Sequence, residues 1–347
     1  MSFQPQFQIT PRLLRDLETV AELRAKIATA TVQVTWTPRL QQDSRQRGAH
    51  ASTAIEGNPL TLPEVQALEA GGSLPDRTER SRREVLNYFA GLRWVEKRAK
   101  RPAPVAHEDL FALHRLLAGG VIDQGEAGRY RSIAVRVGRH LPPPPDMVSG
   151  LMRELLAWWN GPSAEWSPVL TSAVLHFRFE EIHPFADGNG RLGRMLALWE
   201  FYRRGFDTQH VFSVDEFYWE DRARYYASLA AAGTAEGDLT NWLEYTTEGL
   251  RMTLERVWLR VQQLAAAGTR KQTVLRPSQE RLLHLLRERH GLTPQEIWAA
   301  LGVTKQGAAH ILQPLLKAKI VRRVGTRKNG KYVLGGGAKR QAAGTRK

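Results

Sequence analysis

With 347 residues and no cysteine, the chain can form neither a disulfide nor a thiolate metal site, and its length suits two or three domains of roughly 150 residues each. No stretch approaches the roughly 18 apolar residues of a membrane span, and the N-terminus Met-Ser-Phe-Gln-Pro-Gln lacks a basic region followed by an apolar run, so a soluble cytoplasmic protein without a membrane partner is expected. The net charge of +15 sits in one place: positions 268–347 hold 18 Lys and Arg against Glu280, Glu288 and Glu296, while positions 1–267 hold 32 of each sign, which points to a separate module with a polyanionic partner or to a basic surface that only aids solubility.

Taken in chain order, the pattern is helical almost throughout. Apolar residues from Arg12 recur at three- and four-residue steps, as in an amphipathic helix. A second helix is expected before Gly57-Asn58-Pro59, a strong stop, and a third from about Glu79 to Arg98. Pro102-Ala-Pro104 breaks the pattern, and His107 to Leu117 is helical again. Ile133, Val135 and Val137 then alternate with Ala134 and Arg136, a strand period closed by Pro142 to Pro145, which predicts a short β-hairpin. Helices follow over Met147 to Trp159, from the Ser167-Pro168 cap to about Glu181, and from about Gly190 to Arg204, stopped by Gly205. Further helices are expected over about 220–232 and 238–265. From Pro277 come three short helices and a hairpin, with Gly302 in a tight turn, Thr304 as a cap and Asn329-Gly330 turning Ile320–Val324 onto Tyr332–Leu334. The Gly- and Lys-rich tail is expected to be disordered.

The segment that carries chemistry is His183-Pro-Phe-Ala-Asp187-Gly-Asn-Gly-Arg191-Leu-Gly-Arg194. It lies between two helices, where Gly188 and Gly190 can take backbone angles closed to other residues and successive N–H groups can cradle an anion. Arg191 and Arg194 share one face near the positive end of the second helix, which is electrostatically unfavourable unless something strongly negative sits there. A polyphosphate fits. Asp187 is a hard oxygen ligand suited to Mg²⁺ bridging phosphates, and His183 can accept a hydroxyl proton near neutral pH. Base, metal ligand and phosphate clamp within twelve residues describe phosphoryl or nucleotidyl transfer.

This loop resembles the signature of the Fic family, His-Pro-Phe-x-Asp/Glu-Gly-Asn-Gly-Arg-x-x-Arg, at all nine specified positions, and the resemblance extends over about residues 40–250. It implies transfer of AMP from ATP to a Ser, Thr or Tyr hydroxyl of a target protein and of the chain itself. By that resemblance His183 is the general base and Asp187 holds Mg²⁺. Gly188, Asn189 and Gly190 with Arg191 cradle the α- and β-phosphates, Arg194 meets the γ-phosphate, and Phe185 anchors the loop. Tyr225 and Tyr226 correspond to a pair that helps form the adenine pocket; the asparagine that often follows is absent, Gly233 or Thr234 standing near its place. Gly128 through Val137, with Ile133, Ala134, Val135, Arg136 and Val137, resembles the family's flap, whose exposed strand edge can align a target segment. A Fic transferase using another nucleotide remains an alternative.

Ser52-Thr-Ala-Ile-Glu56-Gly57-Asn58 is the second unusual stretch. A carboxylate at a helix C-terminus is disfavoured by roughly 0.3–1 kcal/mol, so Glu56 needs a cation. The stretch resembles the Fic inhibitory motif, Ser/Thr-x-x-x-Glu-Gly/Asn, which implies that Glu56 pairs with Arg194 and blocks productive ATP binding. Residues 277–334 resemble a winged helix-turn-helix, with the turn at Leu301-Gly302-Val303 and a second helix over Thr304–Lys317. Lys305 and Gln306 could reach DNA, and Arg322, Arg323, Arg327, Lys328 and Lys331 would decorate the wing. A protein contact there, or a DNA-binding regulator whose Fic body only senses ATP, are the competing readings.

The expected architecture is mainly α: a Fic-type helical bundle with a small β-hairpin flap, plus a C-terminal winged-helix domain. Its expected parts are an N-terminal helical region with the inhibitory helix (1–100), the catalytic core (101–265), the winged helix-turn-helix (266–334) and a basic tail (335–347). The implied cofactors are ATP and Mg²⁺, and the implied partners a target-protein hydroxyl, DNA and a second copy of the chain as a homodimer.

Overall fold

The computed structural model describes residues 3–30, 37–74, 79–138, 140–207, 209–234, 237–267, 277–289, 291–318, 320–326 and 330–335. The chain divides into two units, Met1–Thr29 with Leu40–Val261 and Ala30–Arg39 with Gln262–Lys347.

The first unit is built around two helices, α7 (Pro168–Ile182) and α8 (Asn189–Arg203). Neither has a polar face. Nearly every side chain of Val169–Phe179 and Leu192–Phe201 is buried, the mark of a helix surrounded on all sides by protein. Around this pair pack α1 (Pro11–Thr29), α2 (Thr37–Ile55, of this unit from Leu40), α3 (Leu62–Glu69), α4 (Glu79–Arg98), α5 (His107–Ala118), α6 (Pro145–Asn160), α9 (Asp215–Glu220), α10 (Arg222–Thr234) and α11 (Thr240–Ala267, of this unit to Val261). Trp199 of α8 meets Trp94 and Trp159 edge to face, each pair with ring centroids 5.3 Å apart. Truncating such a buried indole to Ala costs about 3–5 kcal/mol.

Three local features place the site. Ser167 caps α7 by accepting from the Val169 N–H, with Pro168 in the first turn, and the helix ends where His183 turns left-handed at φ 49°. Gly188, at φ 81°, then starts α8 without offering a side-chain cap, leaving the first-turn N–H groups of α8 uncapped. α2 ends at Ile55, and Gly57 at φ 95° reverses the chain just after Glu56.

The expected hairpin over 133–137 is not formed. Among the described residues that segment bends at Ile133, is irregular to Arg136, and pairs only through one bridge, Val137 to His140, around Gly138. The returning chain is Pro142 to Pro145, which has no N–H groups to donate to a ladder. α3 and α9 were not anticipated; α3 starts from a Thr61–Glu64 capping box directly after the Asn58-Pro59 stop.

The second unit contains α12 (Pro277–Glu288), α13 (Pro294–Leu301), α14 (Lys305–Lys317) and an antiparallel pair, β1 (Val321–Val324) and β2 (Lys331–Leu334), in register Val321↔Leu334 to Val324↔Lys331. Thr293 and Glu296 form a capping box, Gly302 turns left-handed, and Thr304 caps α14. Leu282, Leu286, Ile297, Leu312, Leu315 and Val321 make a core of their own. Arg327, Lys328, Asn329 and the tail from 336 lie outside the described residues. Among the described residues no helix is long and apolar enough to cross a membrane.

Candidate active site

His183 stands at the C-terminal end of α7, half-buried, where one guanidinium organises the surrounding backbone. Arg131 is buried and donates from Nε to the His183 carbonyl (2.8 Å), from Nη1 to Ile133 (3.0 Å) and from Nη2 to Pro143 (2.5 Å) and Ile182 (3.4 Å). Its own N–H donates to the Pro184 carbonyl at 2.9 Å. Arg131 thus ties the end of α7 to Ile133 and Pro143.

The loop after His183 is pinned from inside. Phe185 has no exposed surface and stacks on His114, with ring centroids 3.8 Å apart and planes within 6°. The Asn189 side chain accepts from the Phe185 N–H (2.9 Å) and donates to the Phe185 carbonyl (2.8 Å), so this amide closes the loop and is not free for a ligand. The Gly128 N–H donates to His114 Nδ1 at 2.8 Å, which makes Nε2 the donor to the Asp187 carbonyl at 2.9 Å. Burial keeps His114 neutral, pulling it down to about 4. The Asp187 carboxylate accepts from the N–H groups of Gly188 (2.5 Å) and Asp123 (3.2 Å), and Asp123 is itself clamped by both terminal nitrogens of Arg80.

Arg191 and Arg194 project from the first turns of α8 and are buried, at 5% and 3% exposure. Arg194 donates from Nε to Ser52 Oγ (3.0 Å) and from Nη2 to the Ser52 carbonyl (2.9 Å) and Glu56 Oε1 (2.8 Å). Its Nη1, and Nε and Nη1 of Arg191, are buried without a hydrogen-bond partner. The nearest carboxylate to Arg191 is Glu84, at 4.0 Å. Gly190 does not take the left-handed angles expected of it. Its missing side chain serves space instead, since a Cβ there would run into the Glu56 carboxylate. Behind Arg194 lies Asp215, buried, accepting from the Tyr88 hydroxyl at 3.2 Å, its pKa raised by burial.

The expected site residues therefore fall into groups. His183, Asp187, Gly188, Asn189, Gly190, Arg191 and Arg194 share one loop and helix start, and Ser52 and Glu56 reach Arg194 from α2. Tyr225 and Tyr226 diverge. Tyr225 is buried against His176, Tyr218 and Trp242, while Tyr226 is 37% exposed, with its hydroxyl 3.4 Å from the Ile55 carbonyl and Arg222 over its ring. Ile133, Ala134, Arg136 and Val137 are exposed and Val135 half-buried, so the segment is open although it is not a strand. In the second unit Lys305, Gln306, Arg322 and Arg323 are exposed. Reading the sequence missed Arg131, His114 and Asp123 as organisers of the loop. His114 carried a visible signal: it lies on the apolar stripe of Leu110, Leu113 and Leu117, where a polar ring must find partners.

Residues 104–201 match the family model described as Fic/DOC family. The chain carries a Fic/DOC domain. Protein adenylyltransferase fic-1 of Caenorhabditis elegans is 32% identical over 222 residues, covering 63% of this chain and 42% of that protein. The chain thus spans less than half the length of this curated relative. A Fic family protein from Desulfovibrio desulfuricans G20 has a crystal structure similar over 97% of this chain and 100% of its own, at 29% identity and a TM-score of 0.64. The solved Fic-1 (aa134 - 508) from C. elegans is 26% identical over 73% of each chain, with a TM-score of 0.63. The Fic domain contains the whole loop from His183 to Arg194; Ser52 and Glu56 precede it.

Proposed function

We propose that the protein is an autoinhibited adenylyltransferase that moves AMP from ATP onto a hydroxyl of a target protein and of itself. The observation that carries this reading is the pair of buried arginines at the start of α8, with three N–H bearing atoms lacking partners beside a half-buried histidine. A buried guanidinium with unsatisfied donors is costly unless an anion completes it, and a triphosphate supplies oxygens for both. The relative named adenylyltransferase supports ATP as donor.

In this reading Arg191 and the uncapped N–H groups of Gly190 and its neighbours bind the α- and β-phosphates, and Arg194 binds the γ-phosphate. Tyr226 borders the base, with Tyr225 packed behind it. Asp187 fits Mg²⁺: each carboxylate oxygen accepts one backbone N–H and keeps a lone pair, and Mg²⁺ is commonly held by one carboxylate together with phosphate oxygens and water. Bound there, the ion would neutralise charge on the phosphates. His183 accepts the hydroxyl proton as the target oxygen attacks the α-phosphorus. The exposed segment 133–137, whose ladder pairing is one bridge at Val137, offers main-chain groups to the target strand. Glu56 brakes the reaction by holding Arg194.

The basic second unit, with an N-capped α14 presenting Lys305 and Gln306 and a hairpin presenting Arg322 and Arg323, supports a winged-helix reading and contact with DNA. A homodimer and a cytoplasmic setting complete the proposal.

Intact-mass measurement of Glu56→Gly after incubation with ATP and Mg²⁺ tests the reaction. An added AMP mass is expected. No added mass, or addition from GTP, UTP or CTP in preference to ATP, would overturn it.

A further inference from the structure

We infer that Glu180 is a positioning residue for His183, a role that rests on the AMP-transfer reading above. Glu180 lies in the last turn of α7, three residues before His183 and on the same side of the helix. Its side chain is 8% exposed, and Oε2 stands 3.5 Å from His183 Nδ1. Both Nδ1 and Glu180 Oε1 are buried without a hydrogen-bond partner. The unsatisfied Nδ1 thus has a carboxylate oxygen, Oε2, just beyond hydrogen-bond length, while Oε1 points toward Gly193; a small rotation of this carboxylate closes the bond, as catalytic pairs commonly tighten when substrate binds.

The surroundings keep this carboxylate for the histidine. Its neighbour Glu181 pairs with Arg178 at 2.6 Å, whereas the ion-pair contact of Glu180 among the described residues is His183. Gly193 of α8 faces it, and a Cβ at that position would collide with Glu180 Oε1. The close approach of α7 and α8 therefore forms a slot shaped for the carboxylate.

The consequence is a tautomer. With Nδ1–H donating to Glu180, the Nε2 lone pair is the one free to accept a proton. During transfer the target hydroxyl oxygen bonds to the α-phosphorus, the bond from that phosphorus to its bridging oxygen breaks, pyrophosphate leaves, and the hydroxyl proton passes to Nε2. The imidazolium so formed keeps Nδ1–H on a carboxylate that offsets its charge, the logic by which a buried acid supports a histidine base.

The test is ¹⁵N NMR of the histidine-labelled full chain at neutral pH, with the His183 signal assigned by its loss in His183→Ala. The Nδ1–H tautomer is expected in the wild type, and a shift of the population toward Nε2–H in Glu180→Ala. A wild-type His183 in the Nε2–H form would overturn the inference, whatever the activity. In the Glu56→Gly background, Glu180→Gln is expected to lower kcat about tenfold to a hundredfold, as loss of an orienting partner typically does, while KM for ATP stays within about twofold. An unchanged kcat would also overturn it. If Glu56→Gly itself transfers no AMP, the reaction assignment fails, and the NMR result still decides the pairing of Glu180 with His183.

Discussion

Replacing Glu56 with glycine tests how much the contact with Arg194 restrains the site. The Glu56 carboxylate is about a third exposed and lies 2.8 Å from a guanidinium that is almost fully buried. A hydrogen bond between charged groups contributes about 1.5–3 kcal/mol, and partial exposure of Glu56 trims this to about 1–2 kcal/mol. A γ-phosphate must displace that contact to reach Arg194, so removing it favours the productive pose by about five- to thirtyfold at 1.4 kcal/mol per factor of ten. The assay is incorporation of label from α-labelled ATP at subsaturating concentration, wild type against Glu56→Gly. The variant is expected to label itself five- to thirtyfold faster, on the same estimate. In the absence of nucleotide it should be less stable by about 1–2 kcal/mol, because Arg194 keeps its bonds to Ser52 but loses the carboxylate on its Nη2. A variant that loses this stability yet labels no faster would show that the ion pair only holds the fold, and the brake would be refuted.

Other consequences are direct. His183→Ala should abolish AMP incorporation while ATP still binds, measured by calorimetry; wild-type rates would remove His183 from its role. Arg131→Met should destabilise the protein by about 2–4 kcal/mol, since four carbonyl contacts of a buried guanidinium are lost together, and denaturant melts read this directly. Stability should fall as the pH drops from about 6.5 toward 4. Burial pulls His114 and His210 down to about 4 and His176 to about 3, so the unfolded chain takes up three protons that the folded chain refuses. Asp207 opposes this, pushed up to about 7 by burial and protonated in the folded state while ionised in the unfolded one. For these four groups the difference grows from under one proton at pH 6.5 to about two near pH 5, a limiting slope of about 2.7 kcal/mol per pH unit, and equal urea midpoints at pH 6.5 and 5 would contradict it. DNA binding by the full chain, followed by fluorescence anisotropy, should weaken linearly on a log–log salt plot, and Lys305→Ala should reduce the slope by about one.

The helices that position the site were legible because their periodicity and caps agree. Ser167-Pro168, Gly205 and the Asn58-Pro59 stop each mark a boundary that the fold keeps within a residue or two. The flap was misread for a physical reason. Alternation at Ile133, Val135 and Val137 is a strand signal only if a partner can donate N–H groups, and the adjacent chain is four prolines. Gly190 was misread in a similar way, because glycine serves either dihedral freedom or space, and only the neighbouring Glu56 decides between them. Arg131, His114 and Asp123 act on the loop from more than 50 residues away in sequence, through contacts that no local pattern encodes.

If Glu56 is the proposed brake, its pairing with Arg194 ties regulation and nucleotide affinity to one quantity. Arg194 is buried, and a buried guanidinium left without an anion is expensive. Asp215 lies close behind it, buried, with its pKa raised by burial and opposed by Arg194 itself, so it shares in holding the guanidinium from the inner side. On the open side Glu56 occupies Nη2 while Nη1 is unfilled, and in the proposed reading a γ-phosphate competes with Glu56 for both. Each increment by which Glu56 stabilises the resting protein is then an increment that ATP must overcome. The proposal therefore predicts that a substitution strengthening the resting fold through Glu56 slows AMP transfer, and that one speeding transfer through this residue loosens the resting fold.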